Sequence, residues 1–169
     1  MGSILYMQEL PPVGGATLFA SMYAAYDALS PAMQDFLSGL TAMHDGEARF
    51  RPIGLVPREG DRFAQTPHPI IRAHPVTGRK LLYVNREFTT RIEGLTKPES
   101  DALLEMLFRH VETPELQCRF RWRQNSVAFW DNRCAQHHAL WDYYPQRRNG
   151  TRVTIEDDRA QYGSRQHRA

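Results

Sequence analysis

The sequence predicts a mainly β chain with helical insertions, an antiparallel barrel or jelly roll. Three observations carry that expectation. Short apolar runs recur either with period two or as brief blocks, turn residues separate them, and a few stretches with three-and-four spacing are inserted among the strands.

The elements follow in order. Ser3 to Leu10 alternates loosely and reads as a strand, closed by Pro11-Pro12 and Gly14-Gly15, which force a turn. Phe19, Met22, Tyr23 and Tyr26 fall at helical spacing. Ser30-Pro31 supplies an N-cap and a first-turn proline for a second helix, whose expected buried face is Met33, Phe36, Leu37 and Leu40. Glu47 to Thr66 mixes charge, Pro and Gly without period and reads as a mobile loop.

Pro69 to His74 and Lys80 to Asn85 flank Pro75-Val76-Thr77-Gly78, the pattern of a hairpin. Thr96 and Glu99 have the spacing of a capping box, opening a helix with Leu103, Leu104, Leu107, Phe108 and Val111 inward. From Leu116 the period becomes two. Leu116, Cys118, Phe120 and Trp122 alternate with Gln117, Arg119, Arg121 and Arg123, as in a half-buried antiparallel strand. Gln124-Asn125 turns the chain into a strand at Val127 to Trp130, and a last strand runs from about Arg148 to Ile155. The polar tail, 157–169, is expected to fray.

Composition narrows the function classes. The chain has 169 residues, 41% hydrophobic and 24% charged, as in an ordinary folded domain. Lys and Arg number 21 against 19 Asp and Glu, a formal charge of +2 that gives no reason to expect a polyanionic partner. Arg119, Arg121 and Arg123 alternate with Phe120 and Trp122, so charge and stacking rings would not share a face, and no nucleic-acid role is expected. Two cysteines make no disulfide framework, and no apolar run is long enough for a signal peptide or a membrane span. A cytoplasmic protein without a membrane partner is the expectation.

The densest chemistry lies between Trp130 and Arg152. His137 is followed after eleven residues (148 − 137) by Arg148, so an imidazole able to ligate a divalent metal precedes a guanidinium able to hold an acid that chelates the same metal. From the residues alone, the favoured reading is the ordinary one, His137 and His138 as surface or core histidines and the arginines as a solvated face.

Several blocks together resemble one family. Trp130-Asp131-Asn132-Arg133-x-x-Gln136-His137 with Asp142-Tyr143-x-Pro145-Gln146-Arg147-Arg148 is similar to the C-terminal signature of the taurine dioxygenase (TauD/TfdA) family of iron(II)/2-oxoglutarate-dependent dioxygenases. Gly14-Gly15-x-Thr17-Leu18, Ala24 to Ser30, His68-Pro69, His74-Pro75-x-Thr77-Gly78 and Val84-Asn85-x-x-Phe88-Thr89-Thr90-Arg91-Ile92 fall in the family's order. The resemblance spans Ile4 to about Ile155 and implies a double-stranded β-helix, the jelly roll, in a single partial catalytic domain over 1–169.

It further implies roles. His137 would be the distal histidine of a two-histidine, one-carboxylate iron site. Arg148 and Thr17 would hold the distal carboxylate of the co-substrate 2-oxoglutarate, Arg152 an anionic group of a taurine-like substrate, and Phe88 a wall of the substrate pocket. The implied reaction hydroxylates a small anion and releases succinate and CO₂.

The sequence departs from the family pattern in two places. Ala16 stands where the family usually has Asp. The family's first two iron ligands, a His-x-Asp or His-x-Glu pair, lie further upstream of Gly14 than the thirteen residues (14 − 1) here, so the chain is expected to be N-terminally truncated with a partial iron site. His110-x-Glu112 is set aside as a solvent-facing helix end, and His44-Asp45 as a strand end near the core. Truncation would leave unpaired strand edges and predicts poor solubility or homo-oligomer formation. Two other readings stay open: a degenerate, non-catalytic module binding a small dicarboxylate through Arg148 and Thr17, and a different metalloprotein using Cys134, His137 and His138.

Overall fold

A computed structural model describes residues 1–57 and 59–155. The expected frayed tail therefore lies outside the described residues. The chain divides into two compact units, Met1–Phe19 with Cys118–Ala169, and Ala20–Gln117.

The first unit carries two three-stranded sheets. In one, β1 (Gly2–Glu9) lies between β9 (Val127–Asp131) and β11 (Asn149–Ile155), antiparallel to both. In the other, β2 (Thr17–Ser21) lies between β8 (Gln117–Phe120) and β10 (Ala135–Ala139). Ser3, Met7 and Trp130 are buried on the inner face of the first sheet. The Phe19 ring meets Trp130 at 5.3 Å and Phe120 at 6.4 Å, both edge-on, so aromatic edges from the two sheets make this unit's core.

The second unit opens with α1 (Met22–Asp27) and α2 (Pro31–Ser38), capped by the side chains of Ser21 and Ser30. A sheet of order β4 (Gln65–Pro69), β3 (Thr41–Asp45), β7 (Thr89–Ile92) follows, with α3 (Gly46–Phe50) inserted after β3. The hairpin of β5 (Ile71–Ala73) and β6 (Lys80–Leu82) pairs as expected. The helix α4 (Lys97–Val111) shows the capping box at Thr96 and Glu99, and buries Leu104, Leu107, Phe108 and Val111. Leu37, Ala42, Ile70, Leu82, Ile92 and Leu107 form the dry centre of this unit.

Several local expectations need correction. Phe19 belongs to a strand, because the helix begins only after the Ser21 cap. Phe36 is 51% exposed, since this two-turn helix buries only Leu37. The segment read as a loop from Glu47 to Thr66 contains α3, capped by Asp45, then a 3-10 turn at Arg51–Ile53 and the start of β4. Cys118 is exposed rather than inward, whereas Trp122 is buried as the period predicts. The strands β7 and β10 carry no clear alternation and were not expected.

Candidate functional site

The site is built on the connection between β1 and β2. Gly14 and Gly15 both have left-handed backbone angles, φ +84° and +68°. A Cβ on Gly14 would lie 2.6 Å from the Asp142 carbonyl oxygen, and one on Gly15 would lie 3.0 Å from Arg148 Cδ. Glycine at both positions therefore lets this turn press against the segment that precedes β11.

Hydrogen bonds knit the two segments together. The Gly15 amide donates to Asp142 Oδ1 at 2.8 Å, and the Gly15 carbonyl accepts from Arg148 Nε at 2.9 Å. Arg148 Nη2 donates to Thr17 Oγ1 at 3.4 Å, and the Trp122 indole N–H donates to the same oxygen at 2.9 Å. Thr17 is 3% exposed, and the Arg148 guanidinium carbon sits 5.9 Å from the Trp122 ring centre. Two donors already converge on the Thr17 oxygen, so its own proton is left to donate outward. Arg148 Nη1 has no partner among the described residues. A planar guanidinium edge beside a hydroxyl donor is a receptor for a carboxylate.

His137 sits in β10, with its ring 6.1 Å from Phe19 and 4.9 Å from Trp130. Thr17 and Phe19 are two residues apart on β2 and so point to the same side. The structure thereby brings Arg148, through Thr17, and His137, through Phe19, to one face of that strand. The turn that follows Trp130 is fixed by Arg133, which grips Asp131 with contacts of 2.6–3.1 Å, and by Asn132, which accepts from the Trp130 indole at 2.9 Å and donates to Ser3 at 3.0 Å. His138 is the next residue on the same strand and points to the opposite face from His137, which disfavours the pair as joint ligands.

Arg152 lies in β11 directly opposite Leu5. Leu5 shares its side of β1 with buried Ser3 and Met7, so Arg152 projects from the inner face of that sheet. Its side chain is exposed and has no hydrogen-bond or ion-pair partner among the described residues. Phe88 belongs to the second unit, where it is half-buried and meets the Phe50 ring edge-on at 5.7 Å.

Two features escaped sequence reasoning. His110 is half-buried, with Nε2 2.7 Å from the Ala25 carbonyl, rather than solvent-facing. His44 packs at 5.0 Å against His68 and stacks at 5.2 Å on Tyr83, and its Nε2 lies 3.1 Å from Thr89 Oγ1. Burial, followed by the neighbouring His68, lowers the His44 pKa to about 4; burial also lowers that of His68. Arg72 covers Tyr83 at 4.4 Å. A signal did exist in the short polar runs around His44 and His68, but only the pairing of β3 with β4, which sets Ala42 opposite His68, brings the two rings together.

Comparison with known proteins places these residues in context. The family model described as taurine catabolism dioxygenase TauD, TfdA family matches residues 1–154. An alpha-ketoglutarate-dependent sulfonate dioxygenase of Saccharomyces cerevisiae is 40% identical over 157 residues, covering 89% of this chain and 37% of the relative. A taurine dioxygenase from Burkholderia xenovorans superposes with a TM-score of 0.77 at 38% identity, covering 89% of this chain and 50% of that one. The protein AAD-2, solved with Mn(II) and N-oxalylglycine, superposes with a TM-score of 0.81 at 30% identity, covering 91% and 62%. The chain thus has the jelly-roll fold, and spans between 37% and 62% of these relatives' length.

Proposed function

The chain belongs to the taurine catabolism dioxygenase TauD, TfdA family, and from that premise we propose that it is the 2-oxoglutarate-gripping part of an iron(II)-dependent dioxygenase. The carrying observation is the cradle of Gly15, Thr17, Trp122 and Arg148, in which Arg148 Nε, Arg148 Nη2 and the Trp122 indole are spent on the Gly15 carbonyl and the Thr17 hydroxyl, leaving Arg148 Nη1 and the Thr17 proton to donate to a ligand. Arg148 takes the distal carboxylate of 2-oxoglutarate in its guanidinium edge, and Thr17 adds its hydroxyl proton. Charge-assisted bonds of this kind contribute roughly 1.5–3 kcal/mol each.

Toward iron(II) the set contributes one imidazole, His137, which alone does not hold the ion. That set therefore fits the keto acid rather than a complete metal site. Bound together, iron(II) and 2-oxoglutarate would activate O₂, one of whose oxygen atoms would hydroxylate the substrate while the other would enter the succinate released with CO₂. Trp130 and Phe19 set apolar rings beside His137, which is itself exposed.

Arg152 is the group that receives the substrate's anion, and the family pattern gives Phe88 the part of an aromatic pocket wall. The yeast relative is named as a sulfonate dioxygenase and the Burkholderia one as a taurine dioxygenase, which supports a small sulfonate as substrate. On this reading 1–169 acts as one partial catalytic domain. No described helix is long and apolar enough to cross a membrane, and two cysteines, too few for a disulfide framework, suit a reducing cytoplasm. Nothing described favours the non-catalytic alternative over the enzyme.

The test is ligand binding. Titration with 2-oxoglutarate, followed by ligand-observed NMR, should show saturable binding, and Arg148→Ala should weaken it about 10- to 100-fold. Equal binding by Arg148→Ala and the unaltered chain would overturn the assignment.

A further inference from the structure

Asp142 is left over by the proposed chemistry, yet it holds three contacts around the cradle. Its Oδ1 accepts from the Gly15 amide at 2.8 Å, and its Oδ2 lies 3.2 Å from Arg119 Nη2. Its carbonyl oxygen is 2.6 Å from where a Gly14 Cβ would be, so glycine alone allows this approach. The peptide unit of Gly15 is then held at both ends. Its N–H is fixed by Asp142, and its C=O accepts from Arg148 Nε.

From this arrangement the geometry points to Asp142 as a positioning residue that aims the Arg148 guanidinium through the Gly15 peptide, with Arg119 holding its far oxygen. The inference rests on the proposed grip of Arg148 on a dicarboxylate, and deepens it. A guanidinium chelated on Nε by a fixed carbonyl loses rotational freedom before ligand arrives, so little ordering entropy remains to be lost on binding. Without the Asp142 anchor, the Gly14-Gly15 turn is free to rotate its carbonyl away. Arg148 then keeps its charge but loses its aim. Asp142 makes no demand on the metal or on the substrate.

The distinguishing readout is selectivity for the second carboxylate. Binding of 2-oxoglutarate and of 2-oxobutanoate, which lacks the distal carboxylate, is measured by ligand-observed NMR on the whole chain, beside thermal melting. The unaltered chain should prefer 2-oxoglutarate. Asp142→Ala should weaken 2-oxoglutarate about tenfold while leaving 2-oxobutanoate within about twofold, so that the preference collapses. Asp142→Asn, which keeps an acceptor for the Gly15 amide, should retain most of the preference. Arg119→Gln removes only the outer contact and should give an intermediate loss.

If Asp142→Ala melts too low to be titrated, Arg119→Gln and Asp142→Asn decide in its place. Arg119→Gln must then lie below the unaltered chain in preference, and Asp142→Asn must stay near it. An unchanged preference in Asp142→Ala, or in Arg119→Gln where that variant decides, overturns the positioning role while the grip of Arg148 stands. Equal weakening of both ligands also overturns it, by showing a general structural loss. No preference in the unaltered chain overturns the grip and this inference together.

Discussion

Single residues differ in how far their surroundings constrain them, and two glycines show this directly. Gly14 and Gly94 share a left-handed backbone, φ +84° and +79°, yet only Gly14 has neighbours where a Cβ would sit. Gly94→Ala carries the backbone strain alone, about 1 kcal/mol, whereas Gly14→Ala adds a clash with the Asp142 backbone and should cost at least about 3 kcal/mol. Urea unfolding of the two variants checks the order. Thr17→Val should cost about 1–3 kcal/mol, because the buried Trp122 indole N–H loses its acceptor. Thr17 and Arg148 were legible in the sequence through a motif. Trp122 and Asp142 were not read as part of that cradle, since each contacts residues more than a hundred positions away.

Among the elements, α4 was the most legible and is the most testable. Its cap, its period and its inner face were all written locally, in Thr96, Glu99 and the leucines. Thr96 Oγ1 lies 2.7 Å from Glu99 Oε2, and the Thr96 amide donates to the same oxygen at 2.8 Å, which also holds the Glu99 carboxyl below its usual range. Thr96→Ala should cost about 1 kcal/mol, and Leu107→Ala about 2–5 kcal/mol, both read from chemical melts. By contrast β7 and β10 are four- and five-residue strands whose burial comes from flanking partners rather than from alternation. Such strands leave no local signature. The helix α3 hid for a similar reason, being five residues long among charges, and relying on the Asp45 carboxylate for its start.

At the scale of the whole molecule, acid sensitivity is expected to come from His44. Its folded pKa of about 4 lies below the ordinary histidine value of 6.5, so the unfolded chain binds the proton more readily. The contribution to stability is complete above about pH 6.5 and is lost as pH falls toward 4. His68, Tyr83, Arg72 and Thr89 face the ring, and none offers a carboxylate to hold an imidazolium. His44→Phe should flatten the dependence of the urea midpoint between pH 7 and 4.5, and an unchanged slope would exclude this source.

The outer face of β1, β9 and β11 sets Ile4 beside Phe129 and Val153, and Tyr6 beside Val127. Phe129 is 68% exposed. Self-association is the expected result, and Phe129→Lys should shift light scattering toward the monomer mass. Sequence alternation revealed the apolar positions on these strands. It could not reveal which face they would leave uncovered, because that depends on pairings between the two ends of the chain.

Those pairings carry a consequence for biosynthesis. Gly2 finds its partner in Ile155, 153 positions later (155 − 2), so β1 cannot complete its pairing until β11 has been synthesised. The stretch from Ala20 to Gln117 meets no such delay and can collapse while translation continues. Closure around β1 is thus the late, slow event, governed by the long loop that its ends must bridge.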